Sequence, residues 1–194
     1  MSRILNRCKW CVNDEEYIQY HDKEWGVPIN DDRIIFECLS LEIFQSGLSW
    51  ITILKKRENF RKSFDNFNYT KISKYSEKKI EKLLSNKNII RNKNKIYAVK
   101  KNALFFIKII EEFGSFSKYI WEYTNYKTIH NSILIEKEIP ISNQISLILS
   151  QDLKSRGFQY IGSKTIYALM QSIGMVNDHV ASCFRYEEIK KGIK

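Results

Sequence analysis

His179 and Cys183 stand four residues apart in Asp178-His179-Val180-Ala181-Ser182-Cys183, a spacing that on a helix puts an imidazole and a thiolate on one face. Near the other end of the chain, Cys8 and His21 form the matching pair. Together they make a Cys2His2 set whose two thiolates balance the charge of Zn²⁺ in a closed tetrahedral shell. Four side-chain ligands leave no open position for water, so the chemistry is structural: the ion ties the two ends of the chain together. Cys8-Lys9-Trp10-Cys11 is also a Cys-x-x-Cys, and spacing does not decide between Cys11 and either histidine. Without a metal the same residues are hydrogen-bonded histidines and small core cysteines, and spacing alone favours that plainer reading. Cys38 reads as core and His130 as a loop or surface residue.

A second constellation is aromatic. Trp10, Tyr17, Tyr20, Trp25 and Trp50 gather in the first quarter of the chain, around the proposed ligand His21. Rings at helical spacing are usually core. Glu42 argues for more, because it lies within Leu39-Ser40-Leu41-Glu42-Ile43-Phe44-Gln45 with no cation within a turn. Such a carboxylate sits at the edge of a helix face, meets a buried partner, or faces a pocket whose ligand supplies donors or positive charge. Aromatic faces also attract cations, so the combination suits a flat, electron-poor ring such as an alkylated purine.

The elements that must position these residues are helical. Only two prolines and seven glycines interrupt the chain, apolar residues recur at three- and four-residue spacing, and strand signals are scarce. Asp31 and Asp32 cap a helix running to about Ser46, with Gly47 as its stop, and Ser49 starts a second through Trp50 and Phe60. Ser76 opens a short helix, and a long one spans about Asn92 to Phe113, ended by Gly114, with a basic outer face. A further short helix falls around Ser117 to Thr124. The stretch from Asn125 to Ile141 has weak periodicity and reads as a connection between two lobes. Ser142 caps a helix to about Arg156, Gly157 to Gly162 make a brief turn, and Ser163 caps a helix reaching Ile173 and stopped by Gly174. The whole is one all-α domain, residues 1–194, with a frayed lysine-rich tail.

Composition narrows the partners. The 194 residues carry 32 Lys and Arg against 22 Asp and Glu, a formal charge of +10, which suits a polyanion such as nucleic acid. A Lys-, Ile- and Asn-rich coding bias would give the same balance, so charge alone does not decide. No apolar run approaches the length of a membrane span, and no signal peptide is evident, so a cytoplasmic protein without membrane contact is expected. Four scattered cysteines make no disulfide framework.

Five segments carry a resemblance: Arg7-Cys8-Lys9-Trp10, Tyr20 to Pro28, Leu41 to Trp50, Arg156 to Gly162, and Val176-Asn177-Asp178-His179-Val180. In order and over nearly the whole chain, they resemble the 3-methyladenine DNA glycosylase I family. The resemblance implies a helix-hairpin-helix glycosylase that is a monofunctional base excision repair enzyme. It would flip 3-methyladenine out of double-stranded DNA, hydrolyse its N-glycosidic bond and act as a monomer. It implies structural zinc on Cys8, His21, His179 and Cys183, Glu42 as the pocket carboxylate, Tyr20 and Trp50 as stacking rings, and Trp10, Tyr17 and Trp25 as the remaining wall. Superfamily relatives place an aspartate after the hairpin. Here Asn177 and Asp178 are the nearest candidates, neither is read as acting so, and Asp178 reads at least equally as an acceptor orienting its neighbour His179. The hairpin residues Gly157, Gly162, Ser163, Lys164 and Thr165 are expected to grip a DNA phosphate through backbone N–H groups and the lysine charge.

Overall fold

Asp14, Asp31, Asn68, Ser76, Asn92, Ser115 and Asn143 each accept a backbone N–H with their side chain at the start of a helix. These caps satisfy donors that a helix leaves free in its first turn, and they divide the chain into short, well-marked helices. The computed structural model describes residues 5–193. Among them eleven α-helices follow in order: α1 (Glu15–Lys23), α2 (Asp32–Gln45), α3 (Trp50–Leu54), α4 (Arg57–Ser63), α5 (Tyr69–Ser73), α6 (Glu77–Ser85), α7 (Lys93–Phe113), α8 (Phe116–Glu122), α9 (Gln144–Ser155), α10 (Ser163–Ser172) and α11 (Phe184–Lys190). Two-residue strands β1 (Ile129–His130) and β2 (Val176–Asn177) pair in parallel.

Helix α2 is the centre. Every residue from Ile35 to Phe44 is buried, and α10, α7 and α3 pack around it. Its phenylalanines join an aromatic core: Phe36 meets Phe106 of α7 at 5.0 Å and Phe44 meets Phe60 of α4 at 4.6 Å between ring centroids. A second, smaller cluster of Cys8, Tyr20, Trp25, Ile133, Val180 and Cys183 holds the two ends of the chain. There Phe184 N–H donates to Asn6 O and the Asn6 amide donates to Ser182 O.

Several boundaries differ from the sequence expectation for identifiable reasons. The helix expected from Ser49 through Phe60 breaks at Lys55 and Lys56, which turns α4 so that Arg57 and Arg61 reach Glu37 while Phe60 packs on Phe44. Asn143, rather than Ser142, caps α9, because its side chain and Ser146 exchange bonds reciprocally. Gly162, rather than Ser163, is the N-cap of α10. The weakly periodic connection from Asn125 to Ile141 carries β1, and Ile133 O accepts from Ala181 N–H, so this stretch clamps the segment between α10 and α11. The lysine-rich tail is helical to Lys190, and Lys194 lies outside the described residues.

Candidate functional site

A cavity of about 160 Å³ opens between α1, α2, α3 and α10, lined by Trp10, Tyr17, Tyr20, Trp25 and Trp50 together with Glu42, Gln45, Ala168, Gln171 and Ser172. The rings brace one another: Trp10 stands edge-on to Tyr17 and to Trp25, each at 5.0 Å between centroids. Tyr20 and Trp50 contact each other directly at 5.3 Å, tilted by 52°, rather than facing across a gap. Trp50 Nε1–H is buried with no hydrogen-bond partner among the described residues.

Two buried glutamates on α2 have opposite surroundings. Glu37 is fully buried, which alone would raise its pKa, but Arg61 and Arg57 each bind its Oε1 at 2.7 Å and hold its carboxyl below the ordinary value. Glu42 is 5% exposed and has no cationic partner among the described residues. Its Oε1 accepts only from Ser172 Oγ, at 2.6 Å. Burial pushes the Glu42 carboxyl up to about 7, with the Ser172 bond pulling the other way. The protein thus supplies Arg57 and Arg61 to neutralise one acid and leaves the other, at the cavity wall, uncompensated.

Cys8, His21, His179 and Cys183 are all buried, and one ligand atom from each lies within 4.8 Å of the others. Two sulfurs and two ring nitrogens form the donor set of a closed zinc shell, and their outward atoms are already held. Asp22 Oδ1 lies 2.7 Å from His21 Nδ1 and is itself gripped by Arg7, while His179 Nε2 lies 3.0 Å from Trp25 O. The bond between the two sulfurs pulls the Cys183 thiol down, helped by His179 and His21, and pushes the Cys8 thiol up, so the pair shares one proton that an ion would displace. Cys11 stands outside this cluster, its thiol donating to Cys8 O. The residues present therefore fit Zn²⁺.

Between α9 and α10 the chain turns tightly. Gly157 has φ +102 and an added Cβ would lie 2.4 Å from Phe105 Cζ, so only glycine lets the turn rest on that ring. Phe158 and Ile161 point into the core, whereas Gln159, Tyr160 and Lys164 are exposed and Gly162, Ser163 and Thr165 half-buried.

The model of the methyladenine glycosylase family matches residues 10–186. The chain belongs to this family. It is 42% identical over 180 residues to DNA-3-methyladenine glycosylase of Haemophilus influenzae, covering 93% of this chain and 97% of that one. It is 41% identical over 182 residues to DNA-3-methyladenine glycosylase 1 of Escherichia coli, covering 94% and 97%. Among solved structures, 3-methyladenine DNA glycosylase I of Staphylococcus aureus, described for its recognition of 3-methyladenine, superposes with TM-score 0.89 at 32% identity over 93% of this chain and 96% of that one. A tyrosine-to-phenylalanine variant of 3-methyladenine DNA glycosylase I in complex with 3-methyladenine gives TM-score 0.89 at 32% identity over 93% and 97%.

In this methyladenine glycosylase the His179 to Cys183 segment is not helical, contrary to the spacing argument. Ala181 N–H bonds to Ile133 O and His179 N–H to Asn177 Oδ1, so the backbone partners lie outside a helical ladder, and Cys183 is the N-cap of α11. Nor does Asp178 orient His179. Its carboxylate accepts from Tyr167 OH at 2.8 Å, Gln171 Nε2 at 2.7 Å and Asn131 Nδ2 at 2.6 Å, and it does not line the cavity. Asp22, on His21, takes the role expected of Asp178. Sequence reasoning missed Gln45, Ala168, Gln171 and Ser172. Only the return of α10 against α2 brings the last three to Glu42, and no local pattern announces it.

Proposed function

We propose that this protein, a DNA-3-methyladenine glycosylase, hydrolyses the N-glycosidic bond of 3-methyladenine in alkylated double-stranded DNA, with Glu42 as the carboxylate that meets the flipped base. The observation that carries the reading is the uncompensated Glu42 in a ring-lined cavity. Methylation at N3 puts positive charge on the purine, and a site offering π faces and one acid prefers that cation to the neutral base. Glu42 accepts from the exocyclic amino group of adenine and repels the oxygen that guanine carries there.

The charged purine is already a good leaving group. As the C1′–N9 bond breaks, its electron pair neutralises the ring, and water adds to C1′ with loss of a proton, leaving free 3-methyladenine and an abasic sugar. Flipping costs a few kcal/mol, and each ring stacked on the base returns ~1 to 3 kcal/mol. Among the described residues no lysine lines the cavity, which fits a hydrolase without lyase activity.

The zinc is structural. It supplies no step of the reaction, and Cys8, His21, His179 and Cys183 would use it to close the chain and fix α1, which carries Tyr17 and Tyr20. The α9–α10 turn would act as the hairpin: the N–H groups of Gly157, Phe158 and Gln159, contrary to the sequence expectation for Gly157, already donate to Lys154 O, Leu153 O and Asn102 Oδ1, which leaves those from Gly162 to Thr165 at the start of α10, with the Lys164 charge, to hold a phosphate. The chain works as one domain and as a monomer.

The test is incubation with methylated duplex DNA and chromatography of the released bases. Free 3-methyladenine with no strand scission is expected. Its absence overturns the reading.

A further inference from the structure

Ser172 closes α10 at 4% exposure and makes the only hydrogen bond that Glu42 accepts on its side-chain oxygens among the described residues. Behind it, Tyr20 OH donates to Ser172 Oγ at 3.4 Å. The carbonyl of Ala168 offers the same hydroxyl a second acceptor at 2.9 Å. A hydroxyl has one proton to donate, so it serves either the carboxylate or the carbonyl. With Glu42 ionised, the carboxylate takes it, because a charge-assisted bond is roughly twice as strong as a neutral one. With Glu42 protonated, the hydroxyl turns to Ala168 O and accepts from the acid.

We propose that Ser172 is a positioning residue for base recognition: it holds Glu42 as the carboxylate with Oε1 occupied, so that Oε2 alone is presented to the base. This rests on the role given to Glu42 above. A carboxylate with both oxygens free can rotate to meet one donor or two. With Oε1 tied to α10 it offers one acceptor in a fixed direction, which suits a single N–H of an exocyclic amino group. The tie also spans the cavity, since Tyr20 comes from α1, Glu42 from α2 and Ser172 from α10. The stacking ring and the acid are thereby placed by the same hydroxyl.

The groups facing Glu42 make its titration readable. Tyr20, from α1, is raised by burial and by Glu42 itself, and Cys38, one turn back on α2, is pushed up to about 12 by burial. From α3 and α10 come Trp50, Ala168 and Gln171, none of which titrates. Tyr17, also from α1, is raised by burial, so among the described residues lining the cavity Glu42 is left as the only group that changes charge near neutrality.

The experiment is single-turnover release of 3-methyladenine from methylated duplex DNA across roughly pH 5 to 9. The wild type, Ser172→Ala, Ser172→Cys and Ser172→Thr are compared, with folding checked by thermal unfolding. Ser172→Ala should move the midpoint of the rising limb upward by about 1 pH unit, so that release is roughly 10-fold slower below the midpoint and converges with the wild type at the alkaline plateau. Ser172→Cys, a weak donor of similar size, should move it the same way by less and serves if the alanine variant does not fold. Ser172→Thr should restore it. An unmoved midpoint in Ser172→Ala or Ser172→Cys, with or without a uniform loss of rate, overturns the inference while the function stands. A wild type that releases no 3-methyladenine overturns the function itself.

Discussion

The rings of Tyr20 and Trp50 touch, their centroids 5.3 Å apart and their planes tilted by 52°. A flat base held between two rings needs them roughly 7 Å apart and parallel, so stacking requires the pair to separate first. Tyr20 sits on α1 and is tied to Ser172, whereas Trp50 begins the five-residue α3 after an exposed run from Ser46 to Ser49. The movement is therefore expected of Trp50. Binding of 3-methyladenine should shift tryptophan emission, and Trp50→Phe should remove most of that shift while Trp10, Trp25 and Trp121 remain. Trp50→Ala should weaken base binding by ~1 to 3 kcal/mol, roughly 5- to 150-fold, with zinc content unchanged.

Glu42 costs stability in proportion to its usefulness. Its carboxyl is raised from 4.5 to about 7, so between those pH values the folded state binds more protons than the unfolded chain. Stability from this group is therefore fullest below about pH 4.5, falls as pH rises to about 7, and stays lost above it, by about 3 kcal/mol. Glu42→Gln removes the charge and keeps an oxygen for Ser172. It should raise the melting temperature above neutrality by a few degrees, leave it nearly unchanged in acid, and slow base release at every pH. Thermal unfolding at acid and alkaline pH, beside the release assay, measures both effects.

The zinc proposal is tested on the residues behind the ligands. Asp22→Asn keeps the shape but loses the carboxylate that braces His21 Nδ1, and should lower zinc affinity ~10- to 100-fold in competition with a chromogenic chelator. Asp178→Asn, beside His179 in sequence but bonded to Tyr167, Gln171 and Asn131, should leave that affinity unchanged. One zinc per chain is expected by elemental analysis. Removing it should lower the melting temperature sharply, because Cys8 and Cys183 close almost the entire chain into one loop.

What the sequence made legible follows the range of the interactions involved. Helices whose ends are written in local chemistry, such as the Asn92 cap and the Gly114 stop of α7, were readable within a residue. Glu42 was readable because its neighbours in sequence are apolar and none is cationic. Its partner was not, since Ser172 lies 130 residues away and an apolar helix end gives no sign of what it will meet. The His179 to Cys183 spacing misled because i and i+4 also suit a loop whose donors are satisfied elsewhere, here by Ile133 and Asn177. Asp22 stands beside His21 in sequence just as Asp178 stands beside His179, and adjacency alone does not say which carboxylate turns toward its histidine.

Two glycines of the α9–α10 turn separate folding from DNA contact. Gly157 cannot accept a side chain: its φ is +102 and a Cβ would overlap the Phe105 ring, so Gly157→Ala should destabilise the protein by about 2 kcal/mol or more and lower every activity together. Gly162 has φ −81 and nothing within 4 Å of an added Cβ, so Gly162→Ala should fold with a stability loss of about 1 kcal/mol or less. If backbone N–H groups at the start of α10 hold a phosphate, that methyl stands where the strand must approach. Affinity for undamaged duplex DNA should then fall severalfold in Gly162→Ala, while binding of free 3-methyladenine in the cavity is untouched. Lys164→Ala should weaken the same complex and reduce by about one the slope of log affinity against log salt, the signature of one lost phosphate contact. DNA affinity unchanged in both variants would place the DNA on another face of the protein.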